Sequence, residues 1–230
     1  MKTIGLLGGM SWESTALYYR ILNEEIKAAL GGLHSARIVL YSVDFAEIEK
    51  LQSDGRWDEA GVQLAQAARA LVRAGADFLV LATNTMHKVA PHIQQAVDIP
   101  LLHIADATAE RIRDNGLKKV GLLATRFTME EAFYRGRLTE EYGLEVVTPD
   151  QTDRALVHQV IYQELCQGKV NAASREKFRH IMAKLTEQGA EGIILGCTEI
   201  TMLVSAQDAS VPLFDTTLIH AQRAVRQALT

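Results

Sequence analysis

Cys197 is the residue of this chain best suited to take up and return a proton. It lies in Gly196-Cys-Thr-Glu199, directly after the apolar run Ile193-Ile-Leu195. Such a run reads as a buried parallel strand, and open α/β sheets place their ligands at the carboxyl ends of their strands. The thiolate is the reactive form, and an unperturbed thiol titrates at roughly 8.5. A strand-to-helix turn is expected to favour that anion through the helix N-terminus. The same stretch occurs earlier in the chain. Ala74-Gly-Ala-Asp-Phe-Leu-Val-Leu-Ala-Thr-Asn-Thr85 aligns on it without gaps, Gly75 on Gly189, Ala76 on Ala190 and Leu81 on Leu195. Thr83 then stands where Cys197 stands. Two matched strand ends carry a thiol in one copy and a hydroxyl in the other.

The repeat extends over the whole chain. Lys118-Lys-Val-Gly-Leu-Leu-Ala-Thr125 matches Lys2-Thr-Ile-Gly-Leu-Leu-Gly-Gly9, with Tyr18 falling on Tyr134, and Val211-Pro-Leu-Phe214 echoes Ile99-Pro-Leu-Leu102. Three segments in the same order at a nearly constant separation imply an internal duplication. Strand patterns alternate with amphipathic helical ones throughout, the mark of parallel sheets. The expected fold is therefore α/β, with two similar parallel-sheet domains: residues 1–98 plus 211–230 form the first and residues 99–210 the second. The active site is expected in the cleft between them, with Thr83 and Cys197 on opposite faces of one ligand. Ser11 is a natural N-cap for a helix running to about residue 29, and Asp54-Gly55 should break the helical stretch of residues 48–73. Cys166 falls in an apolar helix pattern with Val160, Ile161 and Leu165 and reads as packing.

Composition excludes several classes. The chain has 230 residues, 48% hydrophobic and 23% charged, with a net charge of −4, which gives no basic footprint for nucleic acid. No apolar run approaches the ~18 residues of a membrane span. Two cysteines outside any C-x-x-C pair argue against a disulfide framework or a cysteine-rich zinc site. A cytoplasmic protein with free thiols, no membrane contact and no resident metal is the expectation. No P-loop is present, and Gly8-Gly9 lacks the spacing of a dinucleotide fingerprint.

Ile4-Gly-Leu-Leu-Gly-Gly-Met10, Asn84-Thr-Met-His87, Gly121-Leu-Leu-Ala-Thr125 with Thr128, and Gly196-Cys-Thr-Glu199 together resemble the aspartate/glutamate racemase superfamily over essentially the whole chain. The resemblance implies a cofactor-independent amino-acid racemase in which two cysteines, one per domain, exchange the substrate α-proton. It also implies a small amino-acid substrate and a homodimer. Here the first cysteine is replaced by Thr83. Residues 44–49 lack the basic residue of aspartate-specific members, and Cys166 takes the place of a lysine in those members. Cys197 is the expected acid/base and Thr83 the group on the opposite face, acting as a proton relay or donor. L-enantiomers are the expected preferred substrates.

Asn84, Thr85 and Thr198 suit the α-carboxylate, where donors also stabilise a carbanion-like transition state. Thr125 and Thr128 join them, and Met10 lines the pocket. Two roles stay open for Glu199: orienting the α-ammonium or tuning Cys197. His87 is either a partner of the site or a satisfied buried histidine; His103 and His220 read as structural. The competing readings are a one-cysteine decarboxylase or dicarboxylate isomerase of the same superfamily, and a non-catalytic amino-acid binding protein.

Overall fold

A computed structural model describes residues 1–230, which divide into two compact units. The first is Met1–Ile104 with His220–Thr230; the second is Ala105–Ile219.

The first unit holds a four-stranded parallel sheet in the order β2-β1-β3-β4, from β1 (Ile4–Gly8), β2 (Ile38–Ser42), β3 (Phe78–Leu81) and β4 (Leu101–Leu102). β1 and β3 are buried along their whole length, so their side chains alternate between two apolar layers rather than between core and water. Leu7, Leu79 and Leu81 pack with α2 (Phe45–Ser53) and α3 (Trp57–Arg73) on one face. Ile4, Leu6, Phe78 and Val80 pack on the other with Leu22 and Ile26 of α1 (Trp12–Leu30) and with Ala221, Ala224 and Val225. Each such fully buried aliphatic side chain is worth about 1.5–3 kcal/mol.

Local signals set the element ends. Ser11 Oγ accepts from the Ser14 amide at 3.2 Å and caps α1. Asp54 closes α2 in the αR region before Gly55. The stretch after β3 begins as a 3-10 turn, Thr85–Val89, and becomes α4 only over Ala90–Gln95.

The second unit repeats the plan. Its parallel sheet runs β6-β5-β7-β8, from β5 (Lys119–Ala124), β6 (Glu145–Val147), β7 (Ile193–Gly196) and β8 (Leu213–Asp215). In chain order α5 (Ile104–Asp114), α6 (Arg126–Glu130), α7 (Ala132–Glu140), α8 (Gln151–Gln163), α9 (Ala172–Glu187), α10 (Ile200–Leu203) and α11 (Thr216–Leu229) complete the fold. The aligned Gly75 and Gly189 have φ of 93° and 92°, and each follows the last turn of a helix, where a left-handed residue ends it.

The units are divided differently from the expected 1–98 plus 211–230 and 99–210. β4 pairs with β3 and so belongs to the first sheet; β8 pairs with β7 and belongs to the second. The helix after each terminal strand then lies in the other unit: nearly all of α5 in the second, and α11 from His220 onward in the first. This exchange places matched partners around the matched tyrosines. Buried Tyr18 donates from its hydroxyl to His220 Nδ1 at 2.9 Å, whereas the buried Tyr134 hydroxyl has no hydrogen-bond partner and lies close enough to Thr108, the residue that aligns with His220, to feel it. No helix is long and apolar enough to cross a membrane.

Candidate active site

In the first unit the candidate residues lie where β1 and β3 leave the sheet. The two strands pair at Leu7 and Leu81, so the turns that follow them emerge side by side. The Gly9 amide donates to Thr15 Oγ1 at 2.8 Å, and with the Ser11 cap this pins the turn that carries Met10. Met10 is buried in the apolar cluster with Leu51 and Met86. Thr83 is half-buried, while Asn84 and Thr85 are buried at the start of the 3-10 turn.

In the second unit β5 and β7 pair at Ala124 and Gly196, and the equivalent turns again emerge together. Thr125 and Thr128 are buried, their hydroxyls 3.3 Å apart. Their turn is braced by His158 of α8, whose Nδ1 accepts from the Arg126 amide at 3.3 Å. Burial first, and then the Arg126 charge, lower the His158 pKa, so the imidazole is held as a neutral acceptor. The sequence reading passed over His158 because it sits inside an ordinary helix pattern.

Cys197 and Thr198 are half-buried and Glu199 is buried. The Cys197 thiol donates to Glu199 Oε2 at 3.0 Å. Of the two roles open to Glu199, this contact favours tuning the thiol. The expected depression of the Cys197 pKa is reversed: it is pushed well above the ordinary thiol range, by burial first, then by the Glu199 carboxylate and by Cys166. The α-helix that follows is only Ile200–Leu203, too short a run of aligned peptides to outweigh desolvation and an adjacent like charge. Cys166 is likewise not in a helix interior. α8 ends at Gln163, and Cys166 lies half-buried in the 3-10 turn Leu165–Gln167, near enough to Cys197 to raise its pKa.

Hydroxyls tie the Cys197 turn to its surroundings. Thr198 Oγ1 and Thr217 Oγ1 are 2.9 Å apart, Thr201 Oγ1 donates to the Thr198 carbonyl at 2.7 Å, and Thr216 Oγ1 donates to the Leu195 carbonyl at 2.9 Å. Asp215 Oδ1 accepts from the Thr217 and Leu218 amides at 2.9 and 3.1 Å, and burial raises the Asp215 pKa. A further buried polar group, also absent from the sequence reading, lies in the first unit. Gln52 Nε2 donates to Met86 Sδ at 2.8 Å, and its Oε1 has no protein partner. No group of three or more His, Cys, Asp or Glu side chains is arranged to hold a metal ion.

The family model described as Asp/Glu/Hydantoin racemase matches residues 7–224. A crystal structure from Yersinia pestis, described provisionally as an Asp/Glu racemase, is 60% identical with a TM-score of 0.95, each chain covered in full. An aspartate racemase homologue from Pyrococcus horikoshii OT3 is 37% identical with a TM-score of 0.85, again over the whole of both chains. The broad specificity amino-acid racemase RacX of Bacillus subtilis is 26% identical over 96% of each chain.

Proposed function

This chain belongs to the Asp/Glu/hydantoin racemase family, and we propose that it interconverts the enantiomers of aspartate, glutamate or a similar polar amino acid by moving the α-proton through Cys197. The observation that carries the reading is the Cys197 thiol at the carboxyl end of β7, hydrogen-bonded to Glu199 at 3.0 Å. The similarity to RacX, a broad specificity amino-acid racemase, supports a substrate range wider than one acidic side chain.

In the proposed forward step the Cys197 thiolate removes the α-proton of the L-enantiomer. The electron pair left on the α-carbon delocalises into the α-carboxylate, whose growing charge is met by donors from Asn84, Thr85, Thr125 and Thr198. Preorganised donors of this kind supply much of the stabilisation of such intermediates. Delivery of a proton from the Thr83 side, through its hydroxyl or a water it orders, gives the D-enantiomer. The proton held by Cys197 then returns to solvent, and the donor on the Thr83 side takes one back from solvent, which restores the starting state. Glu199 accepts the thiol hydrogen bond and sets how readily the thiolate forms. Every step uses protein groups and solvent.

A threonine hydroxyl is far less acidic than a thiol, which titrates at roughly 8.5, so its anion is not available to act as a base. Proton abstraction from the D-enantiomer is therefore the slower first step, although the two enantiomers have equal free energy in water and the final mixture is even.

Incubation with L- and D-forms of polar amino acids in D₂O, followed by chiral chromatography and loss of the α-proton signal, tests the reading. Deuterium incorporation with inversion, absent in Cys197→Ala, is the expected result. No exchange from any amino acid would sink the racemase assignment.

A further inference from the structure

Two buried histidines, His87 and His220, lie in the first unit with the half-buried His103 and with Tyr18. His103 and Ile104 precede one crossing of the chain between its units and His220 follows the other. The His87 ring lies 4.4 Å from that of His103 and 6.0 Å from that of His220. The sequence left His87 open between a partner of the site and a satisfied buried histidine, and the proposed reaction gives it no task, yet its hydrogen bonds lead directly to the Thr83 strand end.

His87 Nδ1 is 2.7 Å from the Thr83 carbonyl oxygen, and the Ile104 amide donates to His87 Nε2 at 3.2 Å. A carbonyl can only accept and an amide can only donate, so these two partners fix the ring. Nδ1 carries the hydrogen, Nε2 is bare, and the imidazole is neutral. His220 is fixed in the opposite tautomer by the same logic. Its Nε2 donates to the Leu102 carbonyl at 2.9 Å and its Nδ1 accepts from Tyr18. Ile104 is the first residue of α5, so its amide is one of the first-turn donors that no helical carbonyl can reach. The Thr83 carbonyl lies just past the last residue of β3. One ring thus satisfies two backbone groups at element ends and joins them.

We propose that His87 is a positioning residue for Thr83: its single neutral tautomer clamps the Thr83 carbonyl to the first amide of α5 and so fixes the direction of the Thr83 hydroxyl. The inference rests on the reading of Thr83 as the group that serves the second face of the substrate. Because Thr83 stands where a thiol stands in the other unit, its weak chemistry depends on placement. A misdirection of about 1 Å costs on the order of 10²-fold in rate.

Three variants separate the two arms of the clamp. Asn in place of His87 keeps a donor near the Nδ1 position for Thr83 but loses the acceptor for Ile104. Gln keeps an acceptor near the Nε2 position for Ile104 but loses the Thr83 bond, and Ala loses both. The reading is taken from L-substrate in D₂O, as the ratio of inverted product to deuterium returned on the same face through Cys197. A merely structural role lowers both together and leaves the ratio unchanged. The expected result is a ratio lowered about tenfold in His87→Ala and His87→Gln, largely restored in His87→Asn.

An unchanged ratio in His87→Ala, or equal recovery by Asn and Gln, would overturn the inference. If the Ala variant fails to fold, the Asn and Gln pair still decides. Nitrogen NMR of the imidazole in the unchanged protein gives a readout independent of turnover: two protonated nitrogens on His87 would refute the clamp. Absence of any α-proton exchange in the unchanged protein would instead overturn the racemase reading, and with it the role given to His87.

Discussion

The two strand ends, β3 into Thr83 and β7 into Cys197, are copies that have kept their backbone plan and changed their chemistry. In each, a side chain shortly past the strand end donates back to a carbonyl of the turn. His87 does so to Thr83, and Thr201, its aligned counterpart, does so to Thr198. In each, the start of the following crossover helix is tied to the strand end, through the Ile104 amide on His87 in one unit and the Thr216 hydroxyl on the Leu195 carbonyl in the other. The difference lies in what the turn presents. The second unit offers a thiol beside a carboxylate, whereas the first offers a hydroxyl on a residue whose backbone carbonyl is held by an imidazole. Duplication supplies two copies of one strand-end scaffold, and under the proposed reading the residue at a single aligned position decides which end can abstract a proton.

The sharpest way to break the comparison is to remove the stronger group. Cys197→Ala is expected to lower α-proton exchange from the L-enantiomer by about 10²- to 10⁴-fold, the usual share of a general base, measured as deuterium uptake. Comparable residual activity would mean that the two ends are not chemically distinct. Making the ends alike is the complementary step. Thr83→Cys is expected to raise α-proton exchange from the D-enantiomer by roughly tenfold while changing exchange from the L-enantiomer little, with kcat/KM for racemisation altered equally in both directions because the enantiomers have equal free energy. An unaltered D-direction would show that this position does not limit proton transfer.

Much of this was legible in the residues. Matching Gly75 to Gly189 and Leu81 to Leu195 revealed the duplication and paired Thr83 with Cys197, because strand ends and helix stops leave strong local signals. The exchange of terminal helices was not legible. Whether the helix after Leu102 or after Asp215 packs in its own unit or the other depends on tertiary contacts, and the local pattern is the same in either case. The Cys197 environment was misjudged for a related reason. A turn before a helix can be read from sequence, but the length of that helix, the burial of the sulfur and the proximity of Cys166 cannot. His158 and Gln52 were invisible because a polar residue in a helix pattern looks the same facing solvent or facing a turn.

The pH dependence of the Cys197 end is a further test of the contrast. Burial, Glu199 and Cys166 all raise its pKa, so kcat/KM for the L-enantiomer should climb with pH through the ordinary thiol range and beyond it, with no plateau near 8.5. Glu199→Gln removes the negative charge and should move this limb to lower pH, increasing activity a few-fold below it; a limb that stays in place would detach Glu199 from the thiol. The same shift affects folding. The native state keeps a proton that the unfolded chain releases above about 8.5, so this group's contribution to stability falls as pH rises through that value, by at most about 1.4 kcal/mol per pH unit. Urea unfolding of the unchanged protein and of Cys197→Ala across that range would isolate this term.

The smallest expected effect tests whether the aligned back-bonds are equivalent in function as well as in place. Thr201→Val removes the hydroxyl that donates to the Thr198 carbonyl at 2.7 Å while keeping the branched shape. Thr201 is itself half-buried, so water can replace part of the lost bond, and a loss of about 0.5–1.5 kcal/mol in thermal or urea unfolding is expected. Thr198 also has the Thr217 hydroxyl at 2.9 Å to hold its side chain, and Cys197 is directed by its bond to Glu199. Turnover should therefore remain within about twofold. A rate loss as large as that expected of His87→Ala would mean that the thiol end depends on its back-bond as much as the hydroxyl end does. The asymmetry between the ends would then lie only in the reacting group and not in how tightly each is held.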